Sequence, residues 1–321
     1  MTNVILGMDS SCYTTSVAVI SQQGDIMADW RQVLSVKPGT IGLRQREALF
    51  QHWQNFPVLL QNLKTLLDHR IMAVACSHRP TNHPNSYMPV FTAATSVAQS
   101  LAAALDVPVY SFSHQEGHLA AGRLGAKGPY SSSFLAVHLS GGTSELLMVQ
   151  EKSSGLDISV LGKTLDLNAG QFVDRVGVAL GLPFPSGQAL ENVAQTDLSG
   201  EQPIISSYTN GYDVSFSGPT TKALNLLSKN VNKAALARAV FRCIANTIEK
   251  VLLKATADLG VKNVLLVGGV AANNFIRERL RNRLEHPAVG IRLFFTSPEL
   301  STDNAVGIAH LGFLTIRRRG T

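Results

Sequence analysis

Residues 3 to 20, NVILGMDSSCYTTSVAVI, and residues 134 to 149, FLAVHLSGGTSELLMV, share one pattern: an apolar run, a turn of small polar residues, and a second apolar run. Each reads as a β-hairpin, because apolar runs on either side of a tight polar turn pair antiparallel. A second hairpin turn follows the first at SQQGD. What comes after each copy is also alike. In the first half IMAVACS, the Pro-rich loop HRPTNHPNSYMP and a helix around 92 to 105 lead to VYSF and a helix opened by His114. In the second, VKNVLLVGG and the helical AANNFIRERLRNRL lead to IRLFF and a last helix opened by Asp303. A plan that occurs twice predicts an internal duplication, and strands alternating with helices predict α/β layers. The expected division is a first lobe over 1–113, a second over 114–302, and a C-terminal helix of about 303–321 that rejoins the first. Leu49, Trp53, Phe56, Leu60, Leu63 and Leu67, spaced by threes and fours, predict one long amphipathic helix over 42–68.

The chain has 321 residues, 45% of them hydrophobic, which is enough to bury a large core. Its 28 Lys and Arg against 22 Asp and Glu leave +6, a balance that allows a polyanion such as RNA without requiring one. Arg317, Arg318 and Arg319 supply half of that excess and read as a solvated tail. Cys12, Cys76 and Cys243 are odd in number and lack C-x-x-C spacing, so neither a disulfide framework nor a thiolate metal site is expected. MTNVILGMDSS has no basic leader, and no stretch reaches the roughly 18 apolar residues of a membrane span. A soluble, cytoplasmic chain with no membrane partner is the expectation.

His114 and His118 stand four apart in HQEGH, so on a helix both imidazoles leave one face and can converge on a cation. The spacing fits equally a pair of surface histidines near a helix start. Glu116 does not follow the first His directly, which argues against the H-E-x-x-H metallopeptidase pattern. If the two halves are equivalent, Asp303 holds the place in the second that His114 holds in the first, which brings two histidines and a carboxylate to one site. Ser140, Gly141 and Gly142 form a bend where backbone N–H groups can approach phosphate oxygens, as any tight hairpin also does. Gly268 and Gly269 follow a strand and precede a helix, a place for a base or ribose. Asp166 and Asp174 flank Asn168-Ala169-Gly170 and serve either a ribose or a helix cap.

ILGMDSSC, HQEGH, LSGG, LGKTLDLNAGQFVDRV, LGLPFPSG, DVSFSG, GGVAANNFIR and STDNA occur together here in one order. That order and its approximate spacing resemble the tRNA threonylcarbamoyladenosine transferases of the TsaD type, formerly filed as O-sialoglycoprotein endopeptidases, over about residues 4 to 316. The resemblance implies the duplicated actin-like, sugar-kinase-like ATPase fold, two lobes around a cleft. It implies one divalent metal, iron or zinc, on His114, His118 and Asp303. It places adenine nucleotide or threonylcarbamoyl-adenylate on His138, Leu139, Ser140, Gly141, Gly142, Asp174, Gly187 and Asn273. Asp9 matches an acidic position of the family's first hairpin, where it would serve catalysis by steering the cation or the attacking amine, or would only end a strand. The implied reaction moves threonylcarbamoyl from its adenylate to the exocyclic amine of a tRNA adenosine, the metal acting as Lewis acid and template. tRNA is the implied partner, with a related subunit or a second copy against the 42–68 helix through Leu49, Trp53 and Phe56, residues that fit ordinary packing within the chain equally well.

The chain departs from the family at several turns. T-S-C-D-E-T becomes Ser10-Ser11-Cys12-Tyr13-Thr14-Thr15, which replaces two acids. S-G-G-H-T becomes Ser140-Gly141-Gly142-Thr143-Ser144, and D-D-A-A-G-E becomes Asp166-Leu167-Asn168-Ala169-Gly170-Gln171. His78-Arg79-Pro80-Thr81 stands in place of a glycine-rich G-P-G segment. Two readings follow: a transferase acting on the family's substrate or a related one, or a noncatalytic paralogue that binds nucleotide and metal as a regulatory or assembly subunit.

Overall fold

The computed structural model describes residues 2–11, 13–36, 43–66, 68–83, 85–152, 155–201, 203–229 and 231–319, so Cys12 and Leu67 lie outside the described residues. It divides into two units: Met1–Gly125 with Glu151–Asp157 and Thr302–Thr321, and Ala126–Gln150 with Ile158–Ser301.

The first unit is built on β1 (Thr2–Ser10), β2 (Thr14–Ser21), β3 (Ile26–Val33), β4 (His69–Arg79) and β5 (Val109–Ser113), with α1 (Gln45–Leu60), α2 (Phe91–Leu105), α3 (His114–Ala126) and α9 (Val306–Arg319). Its sheet runs β3-β2-β1-β4-β5, an antiparallel meander followed by two parallel strands. Alternation along β1 and β4 explains its two covers. Leu6, Met8, Val74 and Cys76 pack with Phe56, Ala93, Ala94 and Ala98 of α1 and α2. The opposite face carries small residues where α9 crosses it. A Cβ added at Gly7 would come within 2.7 Å of Ala305 and Ala309, and Gly312 lies against Ala75 and Ile5, so α9 can lie flat on the sheet.

The second unit carries β6 (Ser133–Leu139), β7 (Ser144–Lys152), β8 (Gly155–Lys163), α4 (Ala169–Ala179), α5 (Gly187–Gln195), the short pair β9 (Tyr208–Asn210) and β10 (Asp213–Ser215), α6 (Ser217–Leu227), α7 (Lys233–Leu259), β11 (Asn263–Val267), α8 (Asn274–Leu284) and β12 (Arg292–Phe295). Its sheet order is β12-β11-β6-β7-β8. Read from the other edge, this is the meander and parallel pair of the first sheet, so the duplication expected from the two hairpins is present. α7 crosses the core, burying Leu236, Val240, Phe241, Ile244 and Leu252, each worth roughly 1.5–3 kcal/mol of apolar transfer.

Three expectations are corrected. The chain does not leave the first unit after residue 113: α3 and residues 151–157 stay with it, for the packing reason given below. The 42–68 helix stops as an α-helix at Leu60 and tightens into a 3-10 turn over Gln61–Leu66. Pro57 lies in its last turn, where it has no N–H to donate to the i−4 carbonyl. The C-terminal arginines are no loose tail but the last turn of α9, in which Arg317 and Arg319 are exposed while Arg318 is half-buried. Arg318 bonds the Lys152 carbonyl at 2.6 Å and the Glu151 carboxylate, and Arg319 lies 5.3 Å over the Tyr110 ring. Among the described residues no helix is long and apolar enough to cross a membrane.

Candidate functional site

In the first unit, β5 runs directly into α3, so His114 opens the helix and Gln115 N–H donates to the Pro80 carbonyl at 2.9 Å. His118 follows one turn later on the same face, its ring 4.4 Å from that of His114. Asp303 arrives from the other end of the chain. Asn304, not Asp303, caps α9, its side-chain oxygen accepting from Val306 N–H at 3.0 Å and Gly307 N–H at 3.4 Å. Asp303, expected to open that helix, therefore lies just before the capping residue, with its carboxylate turned to the histidines. Asp303 Oδ1 is 3.6 Å from His114 Nε2 and 3.2 Å from His118 Nε2. The three residues each offer one ligand atom within 4.8 Å of the others.

Asp303 and α3 meet through a glycine contact. A Cβ built on Gly307 would fall 1.8 Å from the Gly117 carbonyl oxygen, and one on Gly117 would fall 2.9 Å from Ile308. Only hydrogen at both positions allows α3 and α9 to cross this closely, which is why α3 belongs with the first unit.

Burial disfavours the charged form of His114, but the Asp9 and Asp303 carboxylates outweigh it and hold the imidazole well above its ordinary pKa. Burial likewise opposes ionisation of Asp303, and the two histidines overcome it, holding the carboxyl well below the usual range. Two imidazole nitrogens and a carboxylate oxygen on one side are a donor set that fits iron or zinc. Glu116, between the histidines in sequence, faces elsewhere. Its Oε2 accepts from Ser113 N–H at 2.8 Å and Ser113 Oγ at 3.0 Å, and its Oε1 from Leu156 N–H at 3.2 Å, so it ties residues 151–157 to α3. It has no role as a peptidase base.

In the second unit, Ser140-Gly141-Gly142 forms the β6–β7 turn. Ser140 Oγ accepts from Thr143 N–H at 3.0 Å, and a Cβ at Gly141 or Gly142 would meet nothing within 4 Å, so the outer side of the turn is open. Two neighbours press on it. Gly170, in the first turn of α4, donates N–H to the Ser140 carbonyl at 3.1 Å, and a Cβ there would fall 2.6 Å from Gly141 Cα. Gly268, at φ 95°, would bring a Cβ within 2.3 Å of the Leu139 carbonyl, which also accepts from Val270 N–H at 3.1 Å. Three glycine-containing segments thus meet at the C-terminal ends of β6 and β11, where open α/β sheets bind ligands. His138, at the end of β6, is buried and pairs in register with Val267.

Asn273 caps α8, its side-chain oxygen accepting from Ile276 N–H at 3.0 Å, while its buried amide nitrogen meets no acceptor among the described residues. Asp174 is pushed up by burial and eased back by Ser186 N–H, which it accepts at 2.7 Å. That bond positions Ser186 and so the start of α5, where Gly187 leaves open space. Asp166 goes to the capping alternative. It accepts from Ser215 Oγ at 2.5 Å, Phe216 N–H at 2.9 Å, Ser217 N–H at 3.2 Å and Ser217 Oγ, bonds that hold its carboxyl far below the usual range against the opposing effect of burial.

At the first hairpin, Asp9 is fully buried, with Oδ1 accepting from His114 Nδ1 at 2.9 Å. Ser11, given no role from the sequence, donates Oγ–H to Asp303 Oδ2 at 2.8 Å. No local signal could have found it, since its partner lies 292 residues away. On α1, Phe56 is fully buried and Leu49 packs half-buried against the core, so both leave the expected surface set; the exposed apolar stripe is Phe50, Trp53, Pro57 and Val58.

The family model for TsaD, tRNA N6-adenosine threonylcarbamoyltransferase, matches residues 48–310. The tRNA N6-adenosine threonylcarbamoyltransferase of Symbiobacterium thermophilum is 31% identical over 97% of this chain and 91% of its own. That of Thermus thermophilus is 31% identical over 95% of this chain and 90% of its own. Among solved structures, HypF from T. kodakarensis superposes with a TM-score of 0.63 at 16% identity, over 98% of this chain and 48% of that one. Component A of the Acidaminococcus fermentans (R)-2-hydroxyglutaryl-CoA dehydratase gives 0.56 at 16%, over 97% of both chains. A putative N-acetylmannosamine kinase from Listeria monocytogenes gives 0.54 at 11%, over 99% of this chain and 100% of that one. These likenesses show the actin-like, sugar-kinase-like fold.

Proposed function

Because the chain belongs to the TsaD family of tRNA N6-adenosine threonylcarbamoyltransferases, we propose that it moves the threonylcarbamoyl group of threonylcarbamoyl-adenylate to the exocyclic amine of a tRNA adenosine. The bond from the carbamoyl carbon to the adenylate phosphate breaks, and a bond from that carbon to the amine nitrogen forms. AMP leaves with the electron pair, and the amine loses one proton. The observation that carries the reading is the convergence of His114, His118 and Asp303 from distant parts of the sequence.

His114, His118 and Asp303 would hold a divalent iron or zinc ion, which supplies Lewis-acid polarisation and a template when bound. His138, Leu139 and Ser140 with Gly141 and Gly142 present backbone to the adenylate phosphate. Asp174, Gly187 and Asn273 frame its nucleoside, and the unpaired Asn273 amide is a donor available to it. tRNA is the acceptor, and the cytoplasm is the compartment that holds both. A related subunit, or a second copy, is assigned to the Phe50, Trp53 and Val58 stripe of α1.

A specific observation favours a second reading. Tyr13, 45% exposed, and Thr14 stand where the family carries two acids, so any help those carboxylates give the amine is missing. In that case the chain binds nucleotide and metal as a regulatory or assembly subunit. The deciding experiment supplies metal-loaded protein with threonylcarbamoyl-adenylate and unmodified tRNA, with and without other subunits. Modified tRNA that disappears in His118→Ala supports transfer; no product from a protein that binds both ligands establishes the second reading.

A further inference from the structure

The metal ligands are held from behind by the end of β1. His114 donates from Nδ1 to Asp9, which leaves Nε2 as the nitrogen turned toward His118 and Asp303. Asp303 accepts from Ser11 on Oδ2, which leaves Oδ1 as the oxygen turned to the histidines. Two of the three candidate ligands are thus oriented by residues two apart in one hairpin. We propose that Asp9 and Ser11 form the outer shell of the metal site and that Asp9 supplies the second negative charge a divalent ion needs there. This rests on the metal reading above.

The charge argument is independent of the orientation argument. Two neutral imidazoles and Asp303 offer a divalent cation one negative charge, which leaves a net positive centre in a mostly buried site. Asp9 is 0% exposed and one imidazole away, and its Oδ2 has no hydrogen-bond partner among the described residues. A buried carboxylate with an unsatisfied oxygen is costly by itself. Beside a dication it completes neutrality: Asp9 and Asp303 together balance the ion. A carboxylate behind a ligating histidine also raises the basicity of the imidazole and fixes its tautomer.

Behind Asp9 the packing is polar as well. His52 of α1 is fully buried and hydrogen-bonded through Nδ1 to Thr15 Oγ1 at 2.8 Å, and Asn55 Nδ2 donates to the same hydroxyl at 3.0 Å. The Thr15 hydroxyl thus joins both side chains of α1 to the strand after Asp9. Burial favours the neutral form of His52, though Asp9 pulls the other way.

The test is Co2+ and Zn2+ binding to the metal-stripped full chain, for wild type, Asp9→Asn, Ser11→Ala and His118→Ala. Asp9→Asn should weaken binding roughly 10- to 100-fold, with Ser11→Ala at the lower end of that range, and each should shift the visible absorption of the Co2+ form. Thermal midpoints of the metal-free proteins control for folding, and Ser11→Ala, which removes one oxygen, answers the question if Asp9→Asn does not fold. Dissociation constants within about threefold of wild type with an unchanged Co2+ spectrum would overturn the outer-shell role while leaving the metal site standing. If wild type itself binds no metal, or His118→Ala binds as well as wild type, the metal reading falls and this one with it.

Discussion

The Cα of Gly307 lies over the carbonyl of Gly117, so close that a methyl group at position 307 would sit 1.8 Å from that oxygen. This contact sets the distance between α3, which carries both histidines, and the helix that follows Asp303. Gly307→Ala must push the helices apart, an overpacking cost of roughly 1–3 kcal/mol. Calorimetry should show a lowered melting temperature, and metal titration a loss of affinity beyond what the stability loss explains. A variant that melts and binds like wild type would mean that the crossing does not hold the site.

The glycines of the β6–β7 turn separate folding from binding. Gly141 is open outward, so Gly141→Ala should leave the melting temperature nearly unchanged while weakening adenine-nucleotide binding by roughly tenfold, about 1.4 kcal/mol. Gly170→Ala should lower stability by about 1–3 kcal/mol, because its Cβ meets the Gly141 backbone at 2.6 Å. Calorimetric titration with ATP and AMP checks the first, thermal unfolding the second. Equal nucleotide affinity in Gly141→Ala removes the turn from the site.

His310, in α9, makes stability depend on pH. Burial, with a smaller push from the Arg123 charge, lowers its pKa to about 4, and its Nδ1 has no hydrogen-bond partner among the described residues. The folded state therefore keeps the ring neutral where the unfolded chain takes up a proton. Stability is fully present above about pH 6.5 and falls as the pH drops toward 4, by up to roughly 3 kcal/mol. His310→Gln should flatten that part of the profile in denaturant titrations across this range. An identical slope in both proteins would assign the pH dependence to other groups.

Binding to tRNA should weaken with salt. Two or three phosphate contacts predict a loss of roughly 10- to 50-fold for a fourfold rise in salt, through counterion release. Fluorescence anisotropy with labelled tRNA measures the slope. A flat line would leave the +6 charge without that role.

Much of this fold was legible in one dimension. The two hairpins and the strand–turn–helix units after each predicted the duplication, because a strand's alternation and a helix's period are local properties of the chain. HQEGH carried its own geometry for the same reason, since four residues are one turn of any helix. The glycine turns announced open backbone, though whether Asp166 served a ribose or a helix cap stayed open until Ser215 and Ser217 closed around it.

What the tertiary structure decided are the relations between residues far apart in the chain. The 42–68 periodicity cannot say which apolar residues face the core, and packing buried Phe56 while leaving Phe50 and Trp53 outside. The boundary after residue 113 failed because nothing in the sequence near it registers a contact made by Gly307 with Gly117. Ser11 on Asp303 and Asp9 on His114 are likewise invisible locally. Short-range sterics and periodicity write the elements and their order, whereas the outer shell of a site is set by which side chains remain within hydrogen-bond reach once those elements have packed.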